Sequence, residues 1–156
     1  MNPLPAQYMI PVYRLQLVQE GHTTTGPVTG PAELALHLKE VATSDREQMV
    51  VIFLNTKNRP IGQQVVSIGT LNATLVEPRE IFKGALLANA NSVILAHNHP
   101  SGCLTPSPDD NAVTKLIARA GVLLHIRLLD HVILAPDGSF HSYKERQPEY
   151  LDGENH

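Results

Sequence analysis

The stretch Ser92-Val93-Ile94-Leu95-Ala96-His97-Asn98-His99-Pro100-Ser101-Gly102 constrains the fold more than any other. An apolar run that ends on two histidines one residue apart reads as a short buried strand carrying both imidazoles to its C-terminal edge. Side chains alternate along an extended chain, so the two rings share one face. Open α/β sheets place ligands at that edge. A loop turned at Gly102 and stiffened by Pro100 and Pro106 follows, leading to Ser107-Pro108-Asp109-Asp110. That is a helix start: serine at the N-cap, proline in the first turn, then two acids. If the loop folds this start back onto the strand end, Asp110 reaches the histidines. Two imidazoles and a carboxylate then fill three corners of a tetrahedral zinc site, with the fourth open to water.

The remaining chain reads as scaffold. Residues 1–7 are Pro-rich and expected to fray. Tyr8 to Glu20, with Ile10, Val12, Leu15, Leu17 and Val18 set among polar residues, reads as an extended segment. Residues 1–29 are thus expected to form an N-terminal strand and loop, and 30–153 the main domain. Gly30-Pro31 opens a helix to about Val41, with Leu34, Leu36, Leu38 and Val41 as its apolar side. Met49 to Leu54 is a continuous apolar run, as in a strand covered on both faces, and Val65 to Ile68 pairs back after the turn Asn55–Pro60. Glu77-Pro78-Arg79-Glu80 begins a second helix that buries Ile81, Phe82, Ala85, Leu86 and Leu87 and ends at Asn89–Asn91.

The helix from Ser107 has Val113, Leu116, Ile117 and Ala120 as its stripe, with Gly121 placed to close it. Val122–Leu129 and His131–Ala135 read as separate strands, Pro136-Asp137-Gly138 as a hairpin turn to Ser139–Tyr143, and the tail from Lys144 as loose. Helices and strands interleave, but the last hairpin needs antiparallel pairing. The expected class is therefore α/β, a mixed β-sheet sandwiched by α-helices.

The chain has 156 residues, 42% of them hydrophobic and 17% charged, which suits one globular domain. A net charge of −3 does not support a nucleic-acid partner through a basic face. A single cysteine, Cys103, excludes an internal disulfide and fits a reducing compartment. No apolar run approaches a membrane span and no secretory leader stands at the start, so a cytoplasmic protein is expected.

Each half of the central motif has a plain structural explanation. His-x-His at a strand end is often only polar edge surface, and Ser-x-x-Asp before an apolar helix is a capping pattern. Their combination is harder to dismiss, since a buried strand seldom ends on two same-face histidines without a use for them. Hydrolytic zinc chemistry further needs a carboxylate to take the proton of an activated water and a hydroxyl or amide to steady a tetrahedral intermediate. Ser107 is placed for the second task; the pattern alone does not say which acid performs the first.

His97-x-His99-Pro100-x-Gly102 followed by Ser107-x-x-Asp110, with seven residues between His99 and Ser107, resembles the JAMM (JAB1/MPN/Mov34) metalloprotease motif. Together with Pro78-Arg79-Glu80, Ala85-Leu86-Leu87-Ala88-Asn89-Ala90 and Leu129-Asp130-His131, it resembles the RadC family over about residues 30–145. The resemblance implies a JAMM/MPN, cytidine-deaminase-like fold and a zinc-dependent hydrolase of peptide or isopeptide bonds. By the same resemblance His97, His99 and Asp110 match the zinc ligands and Ser107 the serine that helps stabilise the oxyanion. Glu47, just before Met49–Leu54, matches the glutamate general acid/base. Glu80 competes, but its position also suits favourable charge at a helix start.

Two departures accompany the match. The helix-hairpin-helix region of full-length RadC proteins has no counterpart in this sequence, so a short form is expected and any DNA role of that region does not carry over. Cys103 stands where the family often has an acidic or polar residue; a thiolate there would compete for metal, whereas the plain reading is a small loop residue. Asp130-His131 is either a pair that orients a ligand histidine or a turn. His125 reads as a strand histidine. The rival function is a non-catalytic metal-binding interaction module associated with DNA repair or mobile-element maintenance. A nucleobase deaminase needs H-x-E with P-C-x-x-C and a zincin needs H-E-x-x-H; neither is present.

Overall fold

The structure, a computed structural model, describes residues 10–22, 28–69 and 76–154. The expected frayed segment 1–7, the first two residues of the expected extended segment (Tyr8 and Met9) and residues 23–27 of the expected N-terminal loop lie outside those residues.

In chain order the elements are α1 (Pro31–His37), α2 (Lys39–Ala42), β1 (Gln48–Leu54), β2 (Pro60–Ile68), α3 (Pro78–Leu87), β3 (Ser92–Asn98), α4 (Pro108–Leu124), β4 (Arg127–Leu134), β5 (Phe140–Ser142) and α5 (Tyr143–Arg146), with a 3-10 turn at Pro148–Leu151. The five strands form one sheet in the order β2-β1-β3-β4-β5. β3 and β4 are parallel, and the other neighbours are antiparallel. This is the expected mixed sheet of an α/β domain, with helices on both faces.

The apolar run of β1 is buried on both sides, as its lack of alternation predicts. Val51 and Phe53 face α3 and α4, where they meet Ile81, Phe82 and Ile117. Val50, Ile52 and Leu54 face the opposite layer, against Leu34, Ala35 and Leu38. Phe82 and Ile117 are fully buried, each contributing about 1.5–3 kcal/mol by leaving water.

Several expectations from sequence are corrected. Residues 10–22 form no strand; Ile10, Val12, Leu15, Leu17 and Val18 are exposed. The first helix breaks at Leu38 (φ −93°, ψ 24°), and Leu36 is exposed rather than packed. β2 begins at Pro60, not Val65, because a sheet edge accepts proline at the first position of a strand. Leu86 and Leu116 face outward, on the solvent sides of α3 and α4.

Gly121 does not end α4. The helix runs to Leu124 and closes at His125, whose φ of 57° is left-handed. His125 is thus a helix cap, not a strand residue. Gly121 serves a close approach instead: the chain folds back so that the Ile126 N–H donates to the Gly121 carbonyl at 2.9 Å. A Cβ on Gly121 would lie 2.5 Å from the Ile126 carbonyl oxygen.

β4 is one strand, not two. Its register against β3 slips where Val93 pairs with Leu128 but Ile94 with Asp130. This bulge lets Leu128 and His131 both face the α3/α4 side, where strict alternation would have separated them. The described part of the tail, to residue 154, is not a loose coil: α5 starts at the fully buried Tyr143, and Leu151 packs against the core.

Candidate metal centre

Three elements build the centre. β1 and β3 pair with Met49 opposite His97, so the end of β3 and the start of β1 lie side by side. α4 begins above that end. Its first turn is a capping box, with the Asp110 N–H donating to Ser107 Oγ at 3.0 Å and the Ser107 N–H to Asp110 Oδ2 at 2.7 Å. The cap locks the Asp110 carboxylate at the helix start, facing the imidazoles.

His97 Nε2 is 3.0 Å from His99 Nε2 and 3.0 Å from Asp110 Oδ1, and His99 Nε2 is 3.3 Å from Asp110 Oδ2. His97 is fully buried and Asp110 nearly so, while His99 keeps partial exposure. Ligand atoms held about 2.0–2.1 Å from a tetrahedral ion stand about 3.3 Å apart, close to these spacings. His99 Nδ1 lies 2.5 Å from the Cys103 carbonyl, which can only accept. His99 therefore carries a proton on Nδ1. The donor set of two imidazole nitrogens and a carboxylate suits a borderline transition ion better than magnesium or calcium, which prefer oxygen. His97, His99 and Asp110 could together hold a metal ion.

The charges agree. Burial pushes the Asp110 carboxyl up, but hydrogen bonds to His97 and His99, with His97's charge and the Ser107 N–H, outweigh it and hold the group well below the usual carboxylate range. The hydrogen bond to Asp110 raises His99, against desolvation, helped by the Cys103 carbonyl and by the charges of Asp110 and Glu47.

Glu47 lies immediately before β1, half-buried, on a shallow pocket lined also by Asp45, Arg46, Gly69 and Pro100, the neighbour of His99. Its backbone carbonyl accepts from the Gly69 N–H at 2.8 Å. Glu80 is exposed in the first turn of α3 and paired with Lys83 at 3.0 Å. Cys103 is exposed and meets His99 through its carbonyl, outside the His-His-Asp group.

Two residues escaped the sequence reading. Asn98, between the histidines, points to the other side of the strand. Its amide oxygen accepts from the Gln48 N–H at 2.7 Å, and its amide nitrogen donates to the Ser44 and Arg46 carbonyls at 3.2 and 3.0 Å. It clamps the segment that carries Glu47. Thr114 lies one helical turn after Asp110, a spacing that could have marked it. Its hydroxyl donates to the Asp110 carbonyl at 2.7 Å and lies 2.6 Å from His131 Nδ1, while His131 Nε2 lies 2.8 Å from His97 Nδ1. Asp130 does not hold the His131 ring. Its carboxylate accepts from Ser142 Oγ and from the N–H groups of His131 and Lys144.

A mixed five-stranded α/β sheet with a His-His-Asp group at the end of β3 defines a JAB-type domain with a candidate metal centre. The RadC-like JAB domain profile matches residues 28–148, and the chain belongs to that family. It is similar to UPF0758 proteins of Shouchella clausii (48% identical over 122 residues, 77% of this chain and 53% of that protein) and Rubrobacter xylanophilus (49% over 119 residues, 76% and 52%). A third, from Caldanaerobacter subterraneus, is 44% identical over 134 residues (85% and 56%). The chain spans about half the length of these curated relatives. Among the described residues no helix is long and apolar enough to cross a membrane.

Proposed function

We propose that the domain is a zinc-dependent hydrolase of the JAMM class that cleaves a peptide or isopeptide bond in a protein substrate. The observation that carries this reading is the convergence of the His97, His99 and Asp110 ligand atoms at the open end of β3. A zinc ion held by those three residues would polarise the scissile carbonyl and acidify a water molecule.

Glu47 is the proton carrier in this account. It takes a proton from the attacking water as the water oxygen bonds to the carbonyl carbon. It returns the proton to the departing nitrogen as the C–N bond breaks. The position of Glu47 on the pocket beside His99 supports that role. Ser107 Oγ accepts from the Asp110 N–H, so its own hydrogen remains available to donate to the developing oxyanion.

The test is hydrolysis of peptide and isopeptide-linked substrates by the zinc-loaded protein, with Glu47→Gln as control. The account predicts cleavage that falls about 10²- to 10⁴-fold in the variant while zinc remains bound. Equal rates in both proteins would contradict the role of Glu47. Stoichiometric zinc without cleavage of any substrate would favour the metal-binding interaction module instead.

A further inference from the structure

Behind the candidate ligands a closed ring of polar contacts joins β3, β4 and α4. It runs from Asp110 Oδ1 to His97 Nε2 (3.0 Å), from His97 Nδ1 to His131 Nε2 (2.8 Å), from His131 Nδ1 to Thr114 Oγ1 (2.6 Å) and from Thr114 Oγ1 back to the Asp110 carbonyl (2.7 Å). His97, His131 and Thr114 are fully buried, and Asp110 is 4% exposed, so no bulk water substitutes for a member.

Ligation through Nε2 would leave the His97 proton on Nδ1 and so give the ring one direction. The Thr114 hydroxyl hydrogen then goes to the Asp110 carbonyl, which only accepts. The Thr114 oxygen must then accept, which puts a proton on His131 Nδ1. A neutral His131 presents a bare Nε2, and that nitrogen accepts a proton carried on His97 Nδ1. His97 Nε2 is left with its lone pair toward Asp110 and His99. We infer that Thr114 and His131 are positioning residues that hold His97 in the tautomer able to ligate a metal through Nε2.

This assignment rests on the metal reading of the site and adds how that site is kept ready. It also explains the bulge in β4, which puts His131 on the same side of the sheet as His97. Metal-ligating histidines commonly have their second ring nitrogen fixed by an acceptor, and losing that acceptor weakens metal binding about 10- to 100-fold. Here the immediate acceptor is another histidine, and the orienting information comes from the hydroxyl on α4. Without that hydroxyl, His131 can move its proton to Nε2 and donate to His97, which forces the His97 proton onto the ligating nitrogen.

Proton-resolved nitrogen NMR on the zinc-loaded 156-residue chain at about pH 8, where free imidazoles are neutral, tests the ring directly. The expected result is protons on Nδ1 of both His97 and His131 and none on His131 Nε2. A proton on His131 Nε2, or none on His97 Nδ1, overturns the inference. Zinc competition against a chelator gives the second readout. Thr114→Val is expected to weaken binding about 10- to 100-fold, and Thr114→Ser, which keeps the hydroxyl, to stay within about threefold of wild type. Wild-type affinity in a folded Thr114→Val also overturns it. If Thr114→Val does not fold, the spectra of the wild-type chain decide. Failure of the wild-type chain to bind zinc overturns the metal reading and the inference with it, whereas wild-type affinity in Thr114→Val overturns the inference alone.

Discussion

The amide oxygen of Asn98 accepts the backbone N–H of Gln48 at 2.7 Å, tying the strand of the histidines to the residue that follows Glu47. Asn98 is fully buried, and its amide nitrogen also holds the Ser44 and Arg46 carbonyls. Asn98→Ala leaves those backbone groups without their partner, at a cost of about 1–3 kcal/mol. Thermal melts should register that loss. Because His97, His99 and Asp110 are untouched, hydrolysis should fall more than zinc affinity does. A parallel loss of both would contradict the assignment of Asn98 to the Glu47 segment.

Gly121→Ala should destabilise the fold by about 1–3 kcal/mol, even though alanine favours helix. The added Cβ would sit 2.5 Å from the Ile126 carbonyl oxygen and 3.3 Å from Phe82. Denaturant unfolding measures the change. A stabilised variant would contradict the close approach of α4 and the start of β4.

Cys103→Ser should bind zinc within about twofold of wild type, since a backbone carbonyl holds its partner as well in either residue. His99 meets the carbonyl of Cys103, and the thiol is exposed. A large fall in affinity would show that the sulfur reaches the ion.

Two histidines near the candidate metal centre give opposed contributions to the pH dependence of the metal-free protein. Burial, then the charge of His97, holds the His131 imidazole well below its ordinary value of 6.5. The unfolded chain therefore takes up a proton that the native state refuses, and stability falls as pH drops below about 6.5. His99 is raised, chiefly by Asp110, so its contribution is present at low pH and lost as pH rises through its native value. Thermal melts from about pH 8 to about pH 5 should thus show wild type losing more stability on acidification than His131→Gln. Identical slopes would contradict the buried, neutral His131.

Much of the fold was legible because local rules and burial agreed. The unbroken apolar run at 49–54 became a strand covered on both faces, and Ser107-Pro108 started a helix. The errors came where tertiary context overrode a local signal. Gly121 looks like a stop, yet its missing side chain makes room for a returning strand. Asp130-His131 looks like a turn because a bulge breaks the alternation there. Of the site, the His-x-His pair and the capping aspartate were visible as a pattern. The clamp from Asn98 and the ring through Thr114 depend on contacts across 50 and 17 residues of chain, which no local pattern records.

The central claim is that three side chains from one strand and one helix converge on a single divalent cation. Metal analysis of the reconstituted, dialysed chain and of His99→Gln tests it most directly. The account predicts about one zinc per wild-type chain and little in the variant. A folded wild-type chain that retains no divalent metal, or a variant that retains as much as wild type, would contradict it.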